Sequence, residues 1–169
     1  ASISFNGNKI ITSGAGGAVI AKKKKDLQKI THLASTARNH PTYAHDMIGY
    51  NYRMPNINAA LGLAQLEKIE SFIDKKRFIF DFYMRHLESD NLKFYKEPSN
   101  FASSRWISGM MVKNSSSSQL SSLLKFMVKK NIGASKFWIP ISEQKKFKNC
   151  VNHLNKTSKE ISKSFIVLP

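Results

Sequence analysis

Cysteine is almost absent: the 169-residue chain carries one, Cys150. No disulfide can therefore form within it, and a reducing compartment, the cytoplasm, is the expected setting. A catalytic thiol needs a base held beside it. His153 is close in sequence, but nothing else supports the pair, so Cys150 is expected to be structural or incidental. Long apolar runs are missing too. No stretch approaches the ~18 residues that span a bilayer, and no signal-peptide pattern opens the chain, so a membrane is not an expected partner. Acid is scarce: 11 Asp and Glu stand against 27 Lys and Arg, a net charge of +16. Such an excess invites a nucleic acid, because clustered cations release counterions from phosphate. Arginine, however, is scarce among the bases, with 5 against 22 lysines, and bidentate recognition of bases and phosphates favours arginine. The densest run, residues 22–25, has no interleaved aromatics and leads into an amphipathic helix, as a solvated turn would. Nucleic acid is not the expected main partner.

What is present argues for a folded chain. Hydrophobic residues make up 41% of it, spread throughout, so burial can offset chain entropy. The chain starts on what reads as a strand already under way and stops on the apolar run Phe165, Ile166, Val167, Leu168, Pro169. Both ends look cut, and the expectation is a piece of a larger protein.

Along the chain, residues 18–21 suit a short buried strand. Asp26 opens a helical pattern through Leu27, Ile30 and Leu33. Residues 38–55 carry no sustained period and read as a long loop rich in ligand-contacting groups. From Asn56, a potential cap, one helical pattern runs to about Glu88, with Leu66, Ile69, Ile73, Phe80, Tyr83 and Leu87 on a continuous stripe. At ~1.5 Å per residue this helix is about 45 Å long, enough to link two lobes. Strands are expected at 92–95 and 106–112, then a helix through Leu120, Leu123, Leu124, Met127 and Val128, with the serine run 115–118 as its N-terminal cap. An extended segment at 132–141 and a short helix at 158–164 follow. The order fits an α/β or α+β lobe attached to part of another.

Four features could carry chemistry. Lys9 sits in a polar loop with Ser4, Asn6 and Asn8, and Gly14, Gly16 and Gly17 follow. These glycines lead into β-formers and match neither Gly-x-Gly-x-x-Gly nor a P-loop. Their remaining use is positive φ and close approach of backbone to something bulky beside Lys9. A lysine that bonds a carbonyl must be held partly desolvated so that its neutral amine is available. His40, His45 and Asp46 match no metal-ligand spacing, and no metal is expected. Arg53 could equally meet an anionic substrate group or pair structurally. Trp106, Phe137 and Trp138 could stack on a base, but aromatics in strand-like segments are more often core.

The segment SFNGNKIITSGAGG resembles the Schiff-base lysine segment of the DegT/DnrJ/EryC1/StrS family of pyridoxal-phosphate aminotransferases, which act on nucleotide-linked keto-sugars. Ser4, Phe5, Lys9, Thr12, Gly14, Gly16 and Gly17 fit its Ser-Phe-x-x-x-Lys-x-x-Thr-x-Gly-x-Gly-Gly pattern. A second block, residues 43–69, is similar to the stretch joining the family's substrate loop to its interdomain helix. The tail from KFWIPISEQKKF to SKSFIVLP resembles its final substrate-facing segment. Ala15 departs from the pattern, since many members carry Glu there.

The resemblance implies an α/β fold: the end of the large domain and the small α+β domain of a fold-type-I aminotransferase, joined by a long helix. Residues 1–55 would be the remnant of the cofactor-binding domain, 56–88 the interdomain helix and 89–169 the small domain. It implies pyridoxal 5'-phosphate held covalently by Lys9, which then shuttles a proton between the sugar carbon and the cofactor. Ser4 would bond the cofactor phosphate, and Asn51 would reach the phosphate of a neighbouring subunit's cofactor, so the enzyme would be a homodimer with shared sites. The implied substrates are an amino-acid donor, glutamate, and a UDP-linked 4-keto-hexose destined for polysaccharide sugars. The family's preceding ~180 residues hold the acid at the pyridine nitrogen and the group stacked on the ring, so this chain alone is expected to be inactive. The rival expectation is a non-catalytic relative acting as a binding or assembly module.

Overall fold

The computed structural model describes residues 1–151 and 156–169; His153, and with it any pairing to the exposed Cys150, lies outside the described residues. The chain divides into two compact units, Ala1–Phe72 and Ile73–Pro169.

The first unit opens on a hairpin in which β1 (Ser2–Ser4) pairs antiparallel with β2 (Gly17–Val19). Its strands were expected to be buried at 18–21, yet Val19 and Ile20 are 49% and 59% exposed. Two strands have no second layer to pack on, so their side chains stay open. Helix α1 (Lys24–Ala34) follows, with Asp26 in its first turn. Next comes a minimal hairpin, β3 (Arg38–Asn39) with β4 (Ala44–His45).

The single helix expected over 56–88 is two helices, α2 (Asn56–Leu66) and α3 (Ile69–Leu87). Pro55, not Asn56, occupies the N-cap position of α2. At the junction the Lys68 N–H donates to the Gln65 carbonyl, three residues back, instead of the carbonyl four back. The turn tightens there while Glu67 keeps right-handed angles (φ −58°, ψ −21°), so the apolar stripe reads through a break it does not record.

The second unit is a four-stranded antiparallel sheet in the order β5-β6-β8-β7, formed by β5 (Leu92–Lys93), β6 (Gly109–Val112), β7 (Ser135–Lys136) and β8 (Phe165–Val167). Helices α3, α4 (Ser117–Lys129) and α5 (Lys156–Ser164) accompany it. The terminal run, which by sequence closes nothing, is the inner strand β8. Its Ile166 is fully buried and pairs with Met110 on one side and Lys136 on the other. The core joins Phe80, Phe94, Met110, Leu120, Ile166 and Leu168, so of the expected stripe Phe80 alone is fully in the core, Tyr83 packs against it and Leu87 stays exposed. Gly109 is obligatory, because a Cβ there would sit 2.5 Å from the Ile166 carbonyl oxygen.

The serine run caps α4 as expected. Ser116 Oγ accepts from the Gln119 N–H at 3.2 Å, and Gln119 Oε1 accepts from the Ser116 N–H at 2.8 Å, a reciprocal capping box. Ser116→Ala is expected to lower stability by about 1 kcal/mol, read as a shifted urea midpoint at unchanged slope. Ser116→Asp should retain the cap, and equal losses in both variants would place the effect elsewhere.

Candidate functional site

Lys9 stands at the end of a turn closed by its own N–H donating to the Asn6 carbonyl at 3.0 Å. It is half-buried, although the hairpin below it is open. The loop it belongs to is pinned twice: the Phe5 N–H donates to the Gly16 carbonyl and the Ser13 N–H to the Phe5 carbonyl, each at 3.0 Å. Thr12 Oγ1 adds a bridge, donating to the Phe5 carbonyl at 3.1 Å and accepting from the Gly14 N–H at 2.9 Å.

The glycines serve this closure. Gly14 and Gly16 adopt φ +82° and +97°, the left-handed side that side chains resist. A Cβ on Gly17 would lie 2.3 Å from the Ile3 carbonyl oxygen, so only glycine lets β1 and β2 meet at this register. Sequence reading missed one contributor, Asn58 on α2. Its Nδ2 donates to the carbonyl of the fully buried Ser13 at 2.6 Å and ties the loop to that helix. An Asn in the first turn of a helix carries no signal that separates this role from capping.

Ser4 is exposed, and its Oγ accepts from the Asn6 N–H at 3.3 Å. Accepting that bond leaves the hydroxyl proton available to an anion. Lys9 and Ser4 therefore lie on one small loop.

Asn51 lies on a different segment of the same unit, in an isolated bridge with Ser35 just past the end of α1. Its neighbours fix it: the Tyr50 N–H donates to the Leu33 carbonyl at 2.7 Å and the Tyr52 N–H to the Ala34 carbonyl at 2.9 Å, while the two rings stack at 5.0 Å. The segment comes this close because Gly49 lacks a side chain; a Cβ there would sit 2.4 Å from both the Ala37 nitrogen and the Thr36 carbonyl carbon. Thr36 and the buried Ala37 hold φ +64° and +49°, strain that the surrounding hydrogen bonds must maintain. Asn51 itself points its side chain from an exposed position.

A second tie holds the same loop. His32 Nε2 lies 2.7 Å from Asp46 Oδ1. The hydrogen bond to His32 holds the Asp46 carboxyl below the usual carboxylate range. A carboxyl depressed in the fold contributes stability above its unfolded value and loses it as pH falls through the folded one. The loop carrying Asn51 is therefore expected to loosen in acid, below about pH 4. Hydrogen exchange at the Tyr50 and Tyr52 amides reads this, and Asp46→Asn should abolish the acid dependence. Protection that stays flat with pH in the parent would remove the pair from that role.

The other histidines of the loop are also engaged, His40 with Arg38 at 2.9 Å and His45 with the Thr36 carbonyl at 2.8 Å. No cluster of three or more metal-ligating side chains occurs among the described residues, and no helix there is long and apolar enough to cross a membrane. The aromatic trio differs from the core expectation. Trp138 is 58% exposed, its ring tilted against Phe137 at 5.0 Å and Trp106 at 5.6 Å. It follows the short strand β7, which ends at Lys136.

Comparisons with known proteins bear on the family and the fold. The profile of the DegT/DnrJ/EryC1/StrS aminotransferase family matches residues 1–169. EpsN of Bacillus subtilis (strain 168), provisionally described as a pyridoxal phosphate-dependent aminotransferase, is 36% identical over 146 residues, covering 85% of this chain and 37% of its own. GDP-perosamine synthase of Escherichia coli O157:H7 is 40% identical over 111 residues, 65% of this chain and 30% of that one. Among solved structures, Helicobacter pylori PseC, an aminotransferase involved in the biosynthesis of pseudoaminic acid, superposes with a TM-score of 0.86 at 22% identity, over 99% of this chain and 47% of its own. The fold is thus that of the matching part of the solved sugar aminotransferases, and the chain spans less than half the length of the proteins it matches.

Proposed function

Because the chain belongs to the DegT/DnrJ/EryC1/StrS aminotransferase family, we propose that it forms the C-terminal part of a pyridoxal-phosphate-dependent enzyme that moves an amino group from glutamate to a 4-keto-hexose carried on a nucleotide, most simply UDP. The observation that carries this reading is the half-buried Lys9 on a turn locked by two backbone hydrogen bonds, with the Ser4 hydroxyl on the same loop. Residues 1–55 belong to the cofactor-binding domain, 56–88 to the connection and 89–169 to the small domain. The enzyme works in the cytoplasm on sugars for surface polysaccharides.

The residues present suit the cofactor. Lys9 supplies a primary amine for its aldehyde, and Ser4 supplies a hydroxyl proton not used within the loop for its phosphate. When bound, pyridoxal phosphate supplies the electron sink that amino transfer requires. This chain supplies orientation and proton handling. The pinned loop fixes the Lys9 backbone, so its Nζ sweeps a limited volume and can take a proton from one carbon and return it to another. Ser4 holds the phosphate by a charge-assisted hydrogen bond, without a base that would compete for the aldehyde. Asn51, exposed on its braced segment, presents an amide to the phosphate in a second subunit, so each homodimer site draws on both copies. The residues at the pyridine ring lie outside this chain, which is inactive by itself.

The test is an assay of a full-length protein carrying this chain, with glutamate and a nucleotide-linked 4-keto-hexose. The expected products are 2-oxoglutarate, whose new keto oxygen comes from water, and the amino sugar, whose former keto oxygen leaves as water, so that no water is gained or lost overall. A protein that loads pyridoxal phosphate but aminates no nucleotide-linked keto-sugar overturns the substrate class, and one that loads none overturns the reading.

A further inference from the structure

The bonds that close the Lys9 loop run within it. The Lys9 N–H meets the Asn6 carbonyl, the Ser13 N–H the Phe5 carbonyl and the Phe5 N–H the Gly16 carbonyl, and the Thr12 hydroxyl bridges Phe5 and Gly14. These bonds fix the loop's shape. They do not fix where that shape sits, because both ends of each lie within residues 5–16.

The place of the loop is set from α2. Asn58 and Gly62 stand four residues apart, on one face of that helix, and Met54 lies four residues earlier. A Cβ on Gly62 would lie 3.4 Å from the Ser13 Cβ, and one on Gly16 would lie 2.8 Å from the Met54 Cε. These two contacts bring the loop close without orienting it. The bond from Asn58 Nδ2 to the Ser13 carbonyl, 2.6 Å long, is directional. A carbonyl can only accept, so this position needs a donor. Ser13 is fully buried, and its own N–H and hydroxyl already donate to the Phe5 and Ala15 carbonyls.

The path from Ser13 to Lys9 is short. The Ser13 N–H holds the Phe5 carbonyl, and Asn6, the next residue, accepts from the Lys9 N–H. Two backbone hydrogen bonds and one peptide link therefore separate the partner of Asn58 from the Lys9 backbone. We propose that Asn58 is a positioning residue for amino transfer: through Ser13 it holds the Lys9 loop against α2, so that the Lys9 amine meets the reacting carbons in line. The inference rests on the aminotransferase reading for the role of Lys9. A misplacement of about 1 Å can cost on the order of 10²-fold in rate. The loop's internal bonds would meanwhile keep it folded and able to bond the cofactor.

The test is a single turnover of the full-length, pyridoxal-phosphate-loaded protein with glutamate. The amino group passes to the cofactor and 2-oxoglutarate is released with uptake of one water, read as decay of the visible cofactor band. Asn58→Leu, similar in size but without a donor, is expected to slow the saturated rate roughly 10- to 100-fold, with cofactor loading and the half-saturating glutamate concentration near the parent's. Asn58→Asp sets a carboxylate oxygen against the Ser13 carbonyl and should be as slow at about pH 8. Its protonated form offers an O–H in the same place, and bonding to that neutral form raises the carboxyl pKa above the ordinary value of about 3.9. The rate of Asn58→Asp relative to the parent should therefore climb as pH falls from about 8 to about 5, while that of Asn58→Leu stays flat. A purely structural role would lower the thermal midpoint of both variants and leave the rate per loaded cofactor unchanged. That result, a ratio for Asn58→Asp that ignores pH, or variants that no longer load the cofactor would each overturn the proposal and leave the aminotransferase reading standing. If the parent loads the cofactor but glutamate leaves its band unchanged, the glutamate-dependent reading falls, and the positioning proposal with it.

Discussion

Lys9→Ala in the full-length protein is expected to cut amino transfer by at least about 10³-fold with little change in thermal midpoint. The magnitude follows from what the side chain does. General acid–base transfer alone contributes on the order of 10²–10⁴, and covalent attachment of the cofactor adds to it. The fold should survive because the turn is closed by the Lys9 backbone N–H to the Asn6 carbonyl, a bond alanine keeps. Lys9→Arg is the sharper control. It keeps the charge and length but cannot give up its proton near neutral pH, so it should be as inactive as alanine. Activity within tenfold of the parent in either variant would exclude Lys9 from the chemistry.

The largest expected loss of stability comes from Leu120→Ala. Leu120 is 1% exposed and belongs to the core cluster that includes Phe80, Met110 and Ile166. Removing its branched end leaves a cavity that α4 can relax into only partly, since the capping box fixes the helix start. The expected cost is about 2–5 kcal/mol, measured by urea unfolding. Leu124→Ala, at a half-buried position packed against the same cluster, should lose clearly less. Equal losses at the two positions would mean that Leu120 does not occupy the centre of this core.

Much of this architecture is legible in the residues, and the gaps have physical causes. The serine run reads as a cap because Ser116 and Gln119 meet across three residues, a local interaction. Strand β8 does not read as a strand because an apolar run at a chain end has no period; it becomes one through Met110 and Lys136, distant in sequence. The break between α2 and α3 leaves the apolar stripe in phase, so periodicity passes over it. At the candidate site, the glycines are legible as a constraint but not as its content. Gly17 answers to the Ile3 carbonyl and Gly49 to Ala37, contacts that only the folded chain brings together. Asn58 escaped notice for the same reason, as its partner Ser13 is 45 positions away. The exposure of Trp138 went against expectation because aromatic content signals burial only on average.

The account turns on which of the 22 lysines bonds the cofactor. Borohydride reduction of the full-length protein loaded with pyridoxal phosphate, followed by digestion and mass spectrometry, makes that bond permanent and locates it. The pyridoxyl mass is predicted on the peptide bearing Lys9 and to vanish in Lys9→Ala. A stoichiometric label on any other lysine, surviving Lys9→Ala, would contradict the account.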